Sequence, residues 1–269
     1  MRVRIIFLLK NKGGFVPFHH QYLLAQLKES ILQSMDENFS KSTDYNFSGL
    51  KGQTKISKNG LHFYSSRVTL VMSSPNPVFI NTFLQRLFDY KEVQVGNLQL
   101  IPESIETELP PKFEDGLKCI CISPIVLTEP EANDMYAKKF VSPDIDIFSD
   151  LLYDSTMSRM EKSGSYTTEQ IASFYKFQII PDKDYLNKIK EGEKKFARIY
   201  PVYLKGNKME IRGYTFPFSL YAAPEVQSFL FNCGLGTFTH KGFGMLDIAN
   251  ADVHRKTATY QFYTADRMN

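Results

Sequence analysis

Between residues 2 and 101 the spacing of apolar side chains switches from strand-like to helical and back, twice over, and few folds accept that succession. Residues 2–9 alternate loosely between apolar and basic side chains, the period of a half-buried strand. Lys10-Asn-Lys-Gly-Gly14 reads as a turn. Pro17 then opens a predicted helix running to about Met35, with Leu23, Leu24, Leu27, Ile31 and Leu32 on the i, i+3, i+4 rhythm. After a polar connection, residues 53–57 and 61–72 read as two strands around the turn signal Lys58-Asn-Gly60. Pro77 starts a second helix whose Phe79, Phe83, Leu84, Leu87 and Phe88 share a face, and residues 93–101 return as a strand.

This order, β-α-β-β-α-β, is that of a ferredoxin-like (RRM-like) unit. The second half repeats it less tidily. Residues 117–127 read as a strand interrupted by Ser123-Pro124, and an acidic linker precedes a helix within residues 142–162. Residues 171–179 and 208–219 read as strands with a basic polar stretch between them. A short helix from Pro224, a glycine-rich loop and a strand at residues 245–248 close the unit. The predicted fold is therefore α+β: two tandem ferredoxin-like domains, residues 1–111 and 112–269, divided near Pro110-Pro111-Lys112. Residues 249–269 form either an extra strand or a tail.

The glycine-rich loop is Gly234-Leu-Gly-Thr-Phe-Thr-His-Lys-Gly-Phe-Gly244. Glycines at 234, 236, 242 and 244 admit positive φ and close backbone approach. A run of exposed N–H groups there would form an anion-binding concavity, with His240 and Lys241 adding charge at its lip. The other reading is a plain turn between a helix and a strand. A dinucleotide fingerprint is excluded, because that motif follows a strand and opens a helix. No Gly-Lys-Ser/Thr follows, which excludes a Walker loop.

Length and composition narrow the class. The chain has 269 residues, 43% of them hydrophobic and 14% aromatic, enough for one large or two modest packed domains. The apolar runs are too short to span a bilayer, and no signal-peptide pattern stands at the N-terminus, so a soluble cytoplasmic protein is expected. Three cysteines argue against a disulfide framework. Cys119 and Cys121 would share one strand face without further soft ligands nearby, and they read as small buried residues with no metal or other cofactor implied. Charge is unevenly distributed. Residues 1–60 hold nine Lys/Arg against four Asp/Glu, residues 102–155 four against twelve, and residues 194–269 ten against five. That asymmetry suits a nucleic-acid binder using one face, and equally an ordinary uneven surface.

Tandem ferredoxin-like units with a C-terminal Gly-h-Gly-x5-Gly-h-Gly loop (h, hydrophobic) resemble the repeat-associated RNA-binding superfamily of CRISPR systems. More narrowly, the chain resembles the Cas six family of endoribonucleases. Three further segments carry the likeness: Val16-Pro-Phe-His-His-Gln-Tyr-Leu-Leu24, Ile122-Ser-Pro-Ile-Val126 and Gly213-Tyr-x-Phe-Pro-Phe218. The resemblance implies metal-independent cleavage of precursor CRISPR RNA within each repeat. A ribose 2′-OH attacks the adjacent phosphate in line, leaving a 2′,3′-cyclic phosphate and a 5′-OH. It implies repeat RNA as the partner, other CRISPR effector subunits as further candidates, no membrane, and a monomer or homodimer. The rival reading is a very slow or non-cleaving repeat-RNA-binding subunit.

Such chemistry needs a base, an acid and cations. Many family members place a tyrosine in the first helix and a histidine after it. Here the helix position reads Glu29, and residues 36–60 contain no histidine. Lys51 and Lys55 are candidates for the cationic role, or ordinary hairpin lysines. His20 and His240 are the imidazoles best placed for proton transfer. For His20 the alternative is a polar helix-entry residue, and for His240 a phosphate contact without proton transfer. Tyr45 is a candidate hydrogen-bond donor. Expected RNA contacts are Gly234, Gly236, His240, Lys241, Gly242 and Gly244 of the loop, with Arg2, Arg4, Lys194, Lys195 and Arg198. Phe238 either stacks on a base or packs in the core.

Overall fold

The computed structural model describes residues 1–113, 116–129, 140–192, 197–204, 206–249 and 257–263. By internal contacts the chain forms two compact units: residues 1–110 with 240–242 and 254–269, and residues 111–239 with 243–253.

The first unit begins with β1 (Arg2–Leu9), β2 (Phe15–Val16), α1 (Gln21–Leu32), α2 (Glu37–Ser40), β3 (Asn46–Phe47), β4 (Thr54–Ser57), β5 (Gly60–Phe63) and β6 (Arg67–Ser73). It continues through α3 (Pro77–Phe88), β7 (Val93–Val95) and β8 (Leu98–Glu108). Its main sheet runs β8-β1-β6-β3, all antiparallel, which is the ferredoxin-like strand order. Alternation along β1 drives Val3, Ile5, Phe7 and Leu9 into the core against α1 and α3. Helix α3 starts as its sequence dictates. The Asn76 side chain accepts from the amides of Val78 and Phe79, and Pro77 occupies the first turn.

Four expectations change here. The predicted hairpin forms, but β4 and β5 join β2 in a separate three-stranded sheet. The second core strand is instead Asn46–Phe47, inside the segment read as a polar connection, because two residues are too short to show a period. The Tyr64-Ser-Ser66 break separates β5 from β6, which the expectation had fused. The predicted strand 93–101 is a hairpin: Gly96 turns at φ +59°, and β8 then runs on to Glu108.

The second unit comprises β9 (Leu117–Cys121), α4 (Ile147–Lys162), α5 (Thr168–Ser173), β10 (Phe177–Pro181), α6 (Lys183–Lys190), β11 (Ala197–Leu204) and β12 (Asn207–Tyr214). β13 (Phe218–Ala222), α7 (Pro224–Cys233), a 3₁₀ turn (Thr239–Lys241, shared with the first unit) and β14 (Leu246–Ile248) complete the series. Its sheet is β10-β13-β9-β14, again the ferredoxin-like order. The β11–β12 hairpin is inserted between the second and third core strands. The expected strand 171–179 starts instead as a helix, because Thr167 and Gln170 form a reciprocal capping box that favours α5. The expected strand 208–219 breaks at Phe216-Pro217, since proline cannot continue the ladder. β15 (Thr257–Thr259) adds to the edge of the first unit's sheet beside β8.

Cys119 and Cys121 share a strand face, and burial pushes both thiols up to about 12, as expected of inert packing residues. Among the described residues no helix is long and apolar enough to cross a membrane.

Candidate active site

In the first unit, a cleft of about 390 Å³ is lined by Lys28, Glu29, Leu32 and Gln33 of α1 and the turn after it, by Lys41, Ser42, Thr43 and Tyr45, and by His240. Helical spacing explains why neighbouring α1 residues do different things. Lys28 lies on the stripe of Leu24, Ile31 and Leu32 and is buried, whereas Glu29, about 100° further round the helix, is half-buried and lines the cleft. The Lys28 Nζ donates to the Tyr45 hydroxyl at 2.7 Å and stands 3.8 Å from a Glu29 carboxylate oxygen. Lys241 Nζ donates to that same Glu29 oxygen, so one carboxylate holds two ammonium groups.

The electrostatics follow. Burial pulls the Lys28 ammonium down to about 8; Glu29 raises it and Lys241 lowers it further. Burial works against the Glu29 carboxylate too, but Lys241, Lys28 and His240 outweigh it and hold the carboxyl below its ordinary range. Tyr45 is buried, its ring stacked 5.0 Å from Phe79, and burial followed by Glu29 pushes its hydroxyl up. An amine titrating near 8 is about one-tenth neutral at pH 7, enough to accept a proton. His240 adds an imidazole to the lining, and Lys241 a second positive charge on Glu29.

The other predicted catalytic residues lie elsewhere. His20 is buried, with Nδ1 3.3 Å from the Pro17 carbonyl oxygen and Nε2 accepting the Leu50 amide at 3.0 Å. Burial lowers it to about 4, leaving a neutral ring with both nitrogens engaged. Lys51 pairs through its backbone with Thr69, and Lys55 on β4 sits 4.9 Å over the Tyr64 ring. Neither lines the cleft. Lys28 was missed, although its place on an apolar helix stripe was a readable signal.

The glycine loop differs from an open nest of amides. All four glycines are buried and have positive φ. The Gly234 amide donates to Leu230, Leu235 to Gly244, Thr237 to Val126 and Gly244 to Pro124, all carbonyls of the protein itself. Arg159 of α4 caps the carbonyls of Cys233 and Gly234 at 2.8 and 2.7 Å. Gly242 is required for another reason: a Cβ there would stand 2.5 Å from the Phe47 ring. The loop thus carries His240 to the cleft and Lys241 to Glu29. Phe238 packs against the cluster of Val126, Tyr200, Val202, Ile211 and Phe243.

Among the expected RNA contacts, Arg2 is buried beside Glu108 at 3.6 Å, and Arg4 donates to the same carboxylate at 2.7 Å. Arg198 is exposed on β11. Lys194 and Lys195 lie outside the described residues.

Comparison with known proteins adds an independent line. The family model for the CRISPR associated protein Cas6, C-terminal, matches residues 108–248. A curated relative, CRISPR-associated endoribonuclease Cas6 1 of Methanocaldococcus jannaschii, is 24% identical over 240 residues, 86% of each chain. One solved structure, described as CRISPR associated protein Cas6, aligns with TM-score 0.74 at 22% identity, over 93% of this chain and 99% of its own. Another, described as an RAMP protein binding different RNA substrates, aligns with TM-score 0.76 at 20% identity, over 93% and 100%. At such identities the structural matches speak to the fold alone.

Proposed function

This chain belongs to the Cas6 family, and we propose that it is an endoribonuclease that cuts CRISPR repeat RNA at the cleft between α1, Tyr45 and His240. The observation that carries the reading is Lys28, a buried amine pulled to about 8 at the wall of an open cleft, beside the Glu29–Lys241 pair.

In the proposed mechanism neutral Lys28 takes the proton of the ribose 2′-OH. The freed O2′ attacks the neighbouring phosphorus in line, and the P–O5′ bond breaks. His240 gives a proton to the departing 5′-oxygen, leaving a 2′,3′-cyclic phosphate and a 5′-OH. Lys241 stabilises the charge that gathers on the phosphoryl oxygens. Tyr45 orients Lys28 through their hydrogen bond, and Glu29 holds the two lysines at a fixed separation. His20 serves as a structural strut between α1 and Leu50, and Lys51 and Lys55 serve as backbone contacts for RNA outside the reacting cleft. The required 2′-OH restricts the substrate to RNA.

The test is incubation of the full chain with the repeat RNA encoded beside its gene, in EDTA. The expected result is one discrete cut with a cyclic-phosphate end, blocked by a single 2′-deoxy substitution at the cut site while binding persists. Tight binding without any product assigns the chain to the non-cleaving alternative.

A further inference from the structure

We propose that the second unit carries a base-stacking subsite for an unpaired nucleotide, at the cleft bounded by Tyr175 and Tyr221. This rests on the reading of the chain as a repeat-RNA nuclease and adds a binding position distinct from the Lys28 cleft. The cavity measures about 570 Å³, within the range of small-ligand sites, and is lined by residues 173–176 and 221–224.

The local structure holds both rings outward. The capping box of Thr167 and Gln170 fixes α5, and Phe174, buried, anchors its end by an edge contact with Tyr166 at 6.1 Å. The next residue, Tyr175, is therefore turned out and is 71% exposed. On β13, Leu220 and Ala222 point into the core, so Tyr221 faces outward and is 44% exposed. Gly116 adjoins that ring: a Cβ there would come 3.0 Å from Tyr221 Cε1.

Two large aromatic rings left in water at one cavity gain little from folding, and such exposed patches mark recognition surfaces. The chemistry beside them selects the ligand. Lys176 stands in the cavity wall, Lys118 lies on the adjacent strand opposite Ser219, and Gln178 pairs across from Tyr221. Flat aromatic faces, nearby cations and an amide match a nucleobase with its phosphate. Every base has a π-face, so stacking of this kind is tolerant of sequence.

The experiment is equilibrium binding of a fluorescein-labelled single-stranded repeat RNA, made uncleavable by a single 2′-deoxy substitution at the cut site, to the full chain and to Tyr175→Ala, Tyr221→Ala and Tyr221→Phe. Each alanine is expected to weaken binding by about five-fold or more, while Tyr221→Phe retains the wild-type affinity. The slope of affinity against salt should stay unchanged, since no phosphate contact is removed. Unaltered affinity in both alanine variants, with a wild type that binds, overturns the subsite and leaves the nuclease reading standing. A wild type that neither binds nor cuts the repeat overturns the nuclease reading itself. Calorimetry with free adenosine monophosphate separates the two sources of a nucleobase. No measurable heat is expected, whereas micromolar binding lost in Tyr221→Ala would assign the pocket to a free nucleotide and contradict the RNA-strand occupant.

Discussion

Lys28 stands on an apolar helix stripe where a leucine would pack better, and that misfit is the chemical point of the cleft. A lysine with Leu24 and Ile31 on its own face resists protonation, which is what a base working near neutrality requires. On the proposed assignment the active form has Lys28 neutral and His240 protonated, so the single-turnover cutting rate should trace a bell against pH, with one bend near pH 8 where Lys28 titrates. Glu29 raises the Lys28 pKa, so Glu29→Gln should move that bend to lower pH. A stopped-time series across pH 6–9 checks both. At this scale the sequence was only partly legible. Tyr45, His240 and Lys241 were singled out from it; Tyr45 and His240 line the cleft, and Lys241 pairs with Glu29. Lys28 escaped because a helical lysine reads as solvated by default, although its spacing from Leu24 and Ile31 already placed it on the apolar face. His20 looked reactive because titration near neutrality is the default for imidazole, and burial removes that default here.

Elements succeed or fail as readings according to length and caps. The long periodic segments β1, α1 and α3 were legible because burial imposes their periods. β3 was not, being two residues whose place in the sheet is set by pairing with β6. The glycine loop was found easily, but its use of glycine was misread. Positive φ and close packing explain the four glycines, and the Gly234 and Gly244 amides donate to carbonyls of the protein itself. Substitutions separate these causes. A Cβ at Gly244 would overlap the Leu235 carbonyl, whereas Gly164, also at positive φ, has open space around it. Gly244→Ala should therefore cost about 3 kcal/mol or more, and Gly164→Ala about 1 kcal/mol from backbone strain alone. Denaturant melts of the two variants measure the difference.

Across the whole molecule, formal charge overstates what RNA can meet. The basic first sixty residues include Arg2 and Arg4, which share Glu108, and Lys10 and Lys41, which pair with Glu92 and Glu37. Counting charges along a sequence cannot register a pairing such as Arg4 with Glu108, whose partners are 104 residues apart. If Arg198 contacts a phosphate, Arg198→Ala should lessen the slope of log affinity against log salt by about 0.7. Arg2→Met should leave that slope unchanged, because Arg2 is buried and Glu108 keeps Arg4 as its partner. The central claim is that the Lys28 cleft is where RNA is cut, and single-turnover cleavage by Lys28→Met at saturating repeat RNA tests it most directly. The account predicts a rate at least about 10²-fold below wild type, with affinity for the RNA within threefold. A Lys28→Met protein that folds, binds and cuts at the wild-type rate contradicts it.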